Sequence, residues 1–172
     1  TKQVSHALFL EDLKLRRQII ALWKTYLRES PKMPPKCAQV ARCNLLLGSI
    51  SYISQLTSWV TEENRKMACS AGEDALQMCV SHTFSDYKLR IQAQYAIATL
   101  YATLAPMYLG LKKMKQAESC DKRADEWFQK APTPTGADKR LGKNGFHETF
   151  GPRFRNRKGP AHTTAIYIKA FA

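Results

Sequence analysis

Apolar positions recur at helical spacing over the first three quarters of the chain. The organising stretch is Ile91 to Leu111, IQAQYAIATLYATLAPMYLGL, which carries no charge and is bracketed by Arg90 and Lys112. Ala96, Leu100 and Leu104 follow one helical face, and Ile97, Tyr101, Ala105 and Tyr108 follow the next. A helix apolar on most sides belongs inside a bundle. The stretch is also long enough for a membrane span. Gln92, Gln94, Thr99, Thr103, Pro106 and the tyrosines spread through its middle argue against that reading. Pro106 removes one backbone donor, which predicts a kink or break near Thr103 to Met107.

Four further helices are predicted around it. The first runs from Val4 to Arg28, with a stripe of Leu8, Ile19, Ile20, Trp23, Tyr26 and Leu27 and a largely basic remainder. Three prolines between Ser30 and Pro35 end it. The second runs from Cys37 to Val60, with Val40, Leu47, Ile50, Ile53, Leu56 and Trp59 as core positions. Gly48 inside it costs about 1 kcal/mol relative to alanine, and a close helix crossing would offset that. Thr61 followed by Glu62 and Glu63 starts a third helix reaching Ser81, with Met67, Ala71, Ala75 and Met78 near helical spacing. His82 to Asp86 is a turn in which Ser85 can cap the central helix; Gly110, Lys112 and Lys113 mark that helix's end. The fifth helix, Met114 to Lys130, turns Ala117, Cys120, Ala124, Trp127 and Phe128 inward.

The pattern changes at Ala131. Residues 132–172 hold five glycines and four prolines, and no helical period. They keep Phe146, Phe150, Phe154, Ile166, Tyr167, Ile168 and Phe171, in which simple disordered tails are poor. The expectation is a helical domain (1–131) followed by an extended basic arm (132–172). The fold class is all-α: an antiparallel bundle or short helical-hairpin solenoid of about five helices. The final HTTAIYIKAFA favours a short strand.

Two helical hairpins echo each other at an offset of 49 residues. Tyr52, Trp59, Ala68 and Ala75 map onto Tyr101, Tyr108, Ala117 and Ala124, so aromatic residues face small ones on the return helix. The second copy, Tyr101-x-x-Leu104-Ala105-x-x-Tyr108 followed by Ala117 and Ala124, resembles a tetratricopeptide repeat over about 35 residues. It departs at Asp121, where the family has an aromatic, and at Pro132, which comes late. The resemblance implies a protein-interaction scaffold with a concave face. An ordinary bundle with alanine and tyrosine at helix contacts is the other reading.

Charge changes the picture most. The chain has 27 basic and 14 acidic residues, net +13, with a pI near 9.7. That excess points to a polyanionic partner. The arm holds eight bases against two acids. Within Phe150–Pro160, an extended backbone sets Arg153, Arg155 and Arg157 on one side at about 6.6 Å intervals, which suits successive phosphates. Lys139, Arg140, Lys143 and Lys158 extend the basic set, while Phe150, Phe154 and Tyr167 are candidate anchors on bases or in protein pockets.

Candidate chemistry is sparse. Cys79-x-x-His82 is half of a metal pair, and no second half has zinc spacing. Gly136 to Asn144 departs from a phosphate loop: it has one residue too many, and asparagine stands where the magnesium-holding hydroxyl belongs. No cofactor and no small-molecule substrate are indicated. Five cysteines without a framework spacing suit free thiols in a reducing compartment. Thr1 in place of methionine suggests a fragment or a removed targeting segment, and a mitochondrial one suits the basic pI. The expected function is a non-enzymatic structural subunit of a large ribonucleoprotein, organellar-ribosome-like. Its body would pack on neighbouring proteins and its arm would lie on RNA. The alternatives are a helical-repeat adaptor, or a structural subunit of a membrane or filament complex.

Overall fold

The computed structural model describes residues 2–29 and 32–130. Five helices occupy them: α1 Lys2–Glu29, α2 Pro35–Leu56, α3 Glu62–Cys79, α4 Tyr87–Gly110 and α5 Met114–Lys130. No strand occurs among the described residues. The proposed arm lies outside them.

α2 and α4 lie side by side. α3 packs on both, α1 packs on α2, and α5 packs on α4, the most extensive pairing among the described residues. The helices therefore alternate between an inner pair and an outer row of three. Leu45, Leu46 and Ile53 of α2 meet Ile97, Leu100 and Leu104 of α4 in one core, all fully buried. Each such side chain contributes about 1.5–3 kcal/mol through burial.

Local chemistry sets the boundaries. Pro35 opens α2 at its first turn, where its missing N–H removes no bond. Thr61 caps α3: its hydroxyl accepts from the Asn64 N–H at 3.1 Å. At α4 the cap is Asp86 rather than Ser85; its carboxylate accepts from the Leu89 N–H at 3.1 Å. Ser85 is held by the buried Gln39, whose amide donates to the Ser85 hydroxyl at 2.9 Å and accepts the Ser85 N–H at 3.1 Å. One glutamine of α2 thus pins the turn between α3 and α4. The end of α4 is a Schellman motif: Lys113 N–H reaches Tyr108 O and Lys112 N–H reaches Leu109 O, both at 2.9 Å. The left-handed residue in it is Lys112, φ 60°, rather than the nearby Gly110.

The structure corrects several expectations. α2 stops at Leu56, so Trp59 is not a core residue of that helix; it is exposed and sits 5.0 Å from His6 and 5.6 Å from Phe9. Val40 is also exposed. In α1 the buried line is Phe9, Leu13 and Ile20, while Leu8, Ile19 and Tyr26 face out. α2 covers only one side of this helix, so a wide apolar stripe cannot all be buried. In α3 the buried line is Ala68, Gly72, Ala75, Leu76 and Cys79, with Met67, Ala71 and Met78 at its edge. α4 runs unbroken through Pro106. Packing by α2, α3 and α5 holds the helix across the one missing bond.

Candidate functional site

The sequence-predicted sites Lys139, Arg140, Lys143, Phe150, Arg153, Phe154, Arg155, Arg157, Lys158 and Tyr167 all lie outside the described residues. What the structure adds is two clefts in the outer row of helices.

The first lies between α3 and α5, with α4 as its floor, and encloses about 410 Å³. Tyr101, Leu104 and Tyr108 line the floor; Glu73 and Gln77 stand on the α3 wall, and Gln116, Ser119 and Arg123 on the α5 wall. The 3.6-residue period produces this arrangement. Tyr101, Leu104 and Tyr108 share one face of α4, and Gln116, Ser119 and Arg123 share one edge of α5. Arg123 donates to the Tyr101 hydroxyl at 3.3 Å, and its guanidinium lies 5.8 Å from the centre of that ring. The hydrogen bond holds its charge more firmly than usual. The cleft presents a positioned guanidinium, a carboxylate across from it and two tyrosines beneath. That set can grip a carboxylate or phosphate group and satisfy amides along an extended chain.

The second cleft separates α1 from α3. It holds spaces of about 690 Å³ and 300 Å³ that share Arg17, Ala21 and Met67. The His6, Phe9 and Trp59 rings close one end. A 2.8 Å salt bridge between Lys24 and Asp74 spans the other. Neither Arg123 nor Glu73 is among the candidate residues read from the sequence. The available signal was that Tyr101 and Arg123 face each other across one hairpin.

Burial sets the protonation of four of the five thiols. Cys120 lines the first cleft, yet burial pushes it up to about 12, with Cys69 adding to that. Cys43, Cys69 and Cys79 are likewise raised to about 12, in each case mainly by burial. A thiol so raised stays protonated and inert at neutral pH. Cys37 is the exposed cysteine, and all five are free. Cys79 donates to the Arg42 carbonyl at 3.7 Å, and among the described residues no group of three potential ligands comes together. His82 is held below its ordinary pKa by burial and then by Arg42. Among the described residues, no helix is long and apolar enough to cross a membrane.

Of the offset-49 positions, Tyr52, Tyr101, Tyr108, Ala68, Ala75, Ala117 and Ala124 are all buried, and Trp59 breaks the pattern. Asp121 is fully buried in α5. No protein-family model, curated protein or solved structure matches this chain.

Proposed function

We propose that the protein is a non-catalytic structural subunit of a large ribonucleoprotein assembly. Its helical body docks on neighbouring protein subunits, and residues 132–172 lie along RNA. The carrying observation is the partition of charge: eight bases against two acids in the last 41 residues, interleaved with phenylalanines, leave +6 of the +13 there. A basic, aromatic-studded segment beside a helical body suits threading along phosphates while the body meets proteins. Organellar assemblies, including those of mitochondria, are the setting this composition fits.

The test is RNA binding across a salt series. Replacing Arg153, Arg155, Arg157 and Lys158 together with alanine removes up to four phosphate contacts. Each contributes about 0.7 to the slope for single strands, so the log–log slope should fall by up to about 3. An unchanged slope would take the arm off RNA.

One observation favours a second reading, a helical-repeat adaptor. The cleft between α3 and α5 sets Arg123 and Glu73 over a tyrosine floor, a surface suited to a partner peptide. Partners retained after nuclease treatment, and lost on Arg123→Ala together with Glu73→Ala, would move the assignment to that reading.

A further inference from the structure

α1 carries two apolar lines. The buried one passes through Phe9, Leu13 and Ile20, with Leu27 partly buried at its end, and packs on α2. The other is the same pattern displaced by one residue, about 100° around the helix. It passes through Leu8, Leu15, Ile19, Leu22 and Tyr26, which are 67%, 52%, 49%, 69% and 41% exposed. Scattered exposed leucines are ordinary; an aligned row of five on one helix is not.

The spacing identifies the kind of partner. Leu8, Leu15 and Leu22 recur every seven residues, and Asp12, Ile19 and Tyr26 fall four after each. That is a heptad seam with leucine at d and a β-branched residue among the a positions, the geometry that meshes with another helix. It runs about 27 Å along the axis at 1.5 Å per residue. A sheet or irregular segment would not follow a 3.5-residue period.

We propose that this seam is a homodimer interface, in which α1 of a second copy packs antiparallel against it. The seam is self-complementary. With a two-fold axis at its midpoint, Leu15 meets the partner's Ile19 and Leu8 meets the partner's Tyr26. Parallel pairing would instead set Asp12 against the partner's Asp12 inside the seam, a like-charge clash. In the antiparallel pair the two Asp12 carboxylates are about 15 Å apart along the axis; each faces the partner's Leu22 and is ion-paired with Arg16 at 2.8 Å. Arg16 in turn is anchored on Ser51 of α2, so the ion pair is fixed by the body before any partner arrives. The five residues expose about 500 Å² per copy, so the pair covers on the order of 1,000 Å², where specific interfaces begin. This interface is independent of the RNA reading.

The experiment is sedimentation equilibrium of the nuclease-treated full chain at low and high salt. A dimer is expected, and it should tighten with salt, because salt screens repulsion between two +13 chains. RNA-bridged association would instead loosen with salt. Leu22→Glu should weaken the dimer by about a hundredfold or more, since each interface loses two buried leucines. It should leave the helical signal unchanged, because the side chain is outside the core. Orientation is read by oxidation in a Cys37→Ser background. A mixture of Leu15→Cys and Ile19→Cys chains should form the mixed disulfide ahead of either homodimer. A chain that stays monomeric in both salts, with or without binding to vesicles, overturns the proposal. So does a dimer indifferent to Leu22→Glu, or one in which each cysteine variant crosslinks mainly to itself.

Discussion

Two glycines in neighbouring helices respond oppositely to a methyl group. A Cβ on Gly72 would lie 2.6 and 2.7 Å from the two terminal methyls of Leu104, which is itself fully buried. Gly72 is therefore where α3 and α4 cross closely. A Cβ on Gly48 would meet only Ile20, at an ordinary 3.8 Å. Gly72→Ala should destabilise by about 1–3 kcal/mol through overpacking. Gly48→Ala should stabilise by up to about 1 kcal/mol, as glycine's backbone freedom is removed without strain. Urea unfolding of the two variants checks both signs; equal shifts would mean the crossing is misplaced.

At the scale of elements, the turn from α4 to α5 holds the clearest strain. Lys112 adopts φ 60° in the position where a Schellman motif usually has glycine. A side chain there costs about 1–2 kcal/mol. Lys112→Gly keeps both capping bonds, to Leu109 and Tyr108. It should raise stability by about 1 kcal/mol, less than the strain relieved because glycine gains unfolded-state entropy. A melting temperature that falls would indicate that the lysine side chain is worth more than its backbone strain. The same turn orients α5 against α4, and with it the Arg123–Tyr101 contact in the first cleft.

For the whole molecule, the buried thiols predict a response to alkali. Cys43, Cys69, Cys79 and Cys120 each have the ordinary value of 9.0 raised to about 12. Between pH 9 and pH 12 the unfolded chain releases these protons while the folded chain keeps them, so the unfolded state binds fewer protons. Stability is full below pH 9 and should fall steadily as pH climbs toward 12. Denaturant midpoints at pH 8, 9 and 10 check this, and the decline should shrink when Cys43 and Cys79 are replaced by alanine at matched starting stability. An alkylating reagent at pH 8 should label Cys37 quickly and the other four only on unfolding.

Helix count, helix order and the buried central helix were legible in the residues, because period and proline position are properties of the chain alone. An uncharged run from Ile91 to Leu111 had to be enclosed, whatever enclosed it. The enclosed face was legible in α5, where Ala117, Cys120 and Ala124 are buried as the spacing predicts, but not in α1. α1 is apolar along two adjoining lines, and only the seat of α2 decided that Phe9, Leu13 and Ile20 went in while Leu8, Ile19 and Tyr26 stayed out. Gly48 and Gly72 are identical in sequence terms, and the approach of Leu104 separates them. Ser85 and Asp86 are equally good caps by composition, and Gln39, 46 residues away from Ser85, drew the serine aside. Glu73 and Arg123 share a cleft only because α3 and α5 are set on either side of α4. Periodicity fixes what a helix can bury; the neighbours it meets decide what it does bury, because contact depends on distances between segments far apart in the chain.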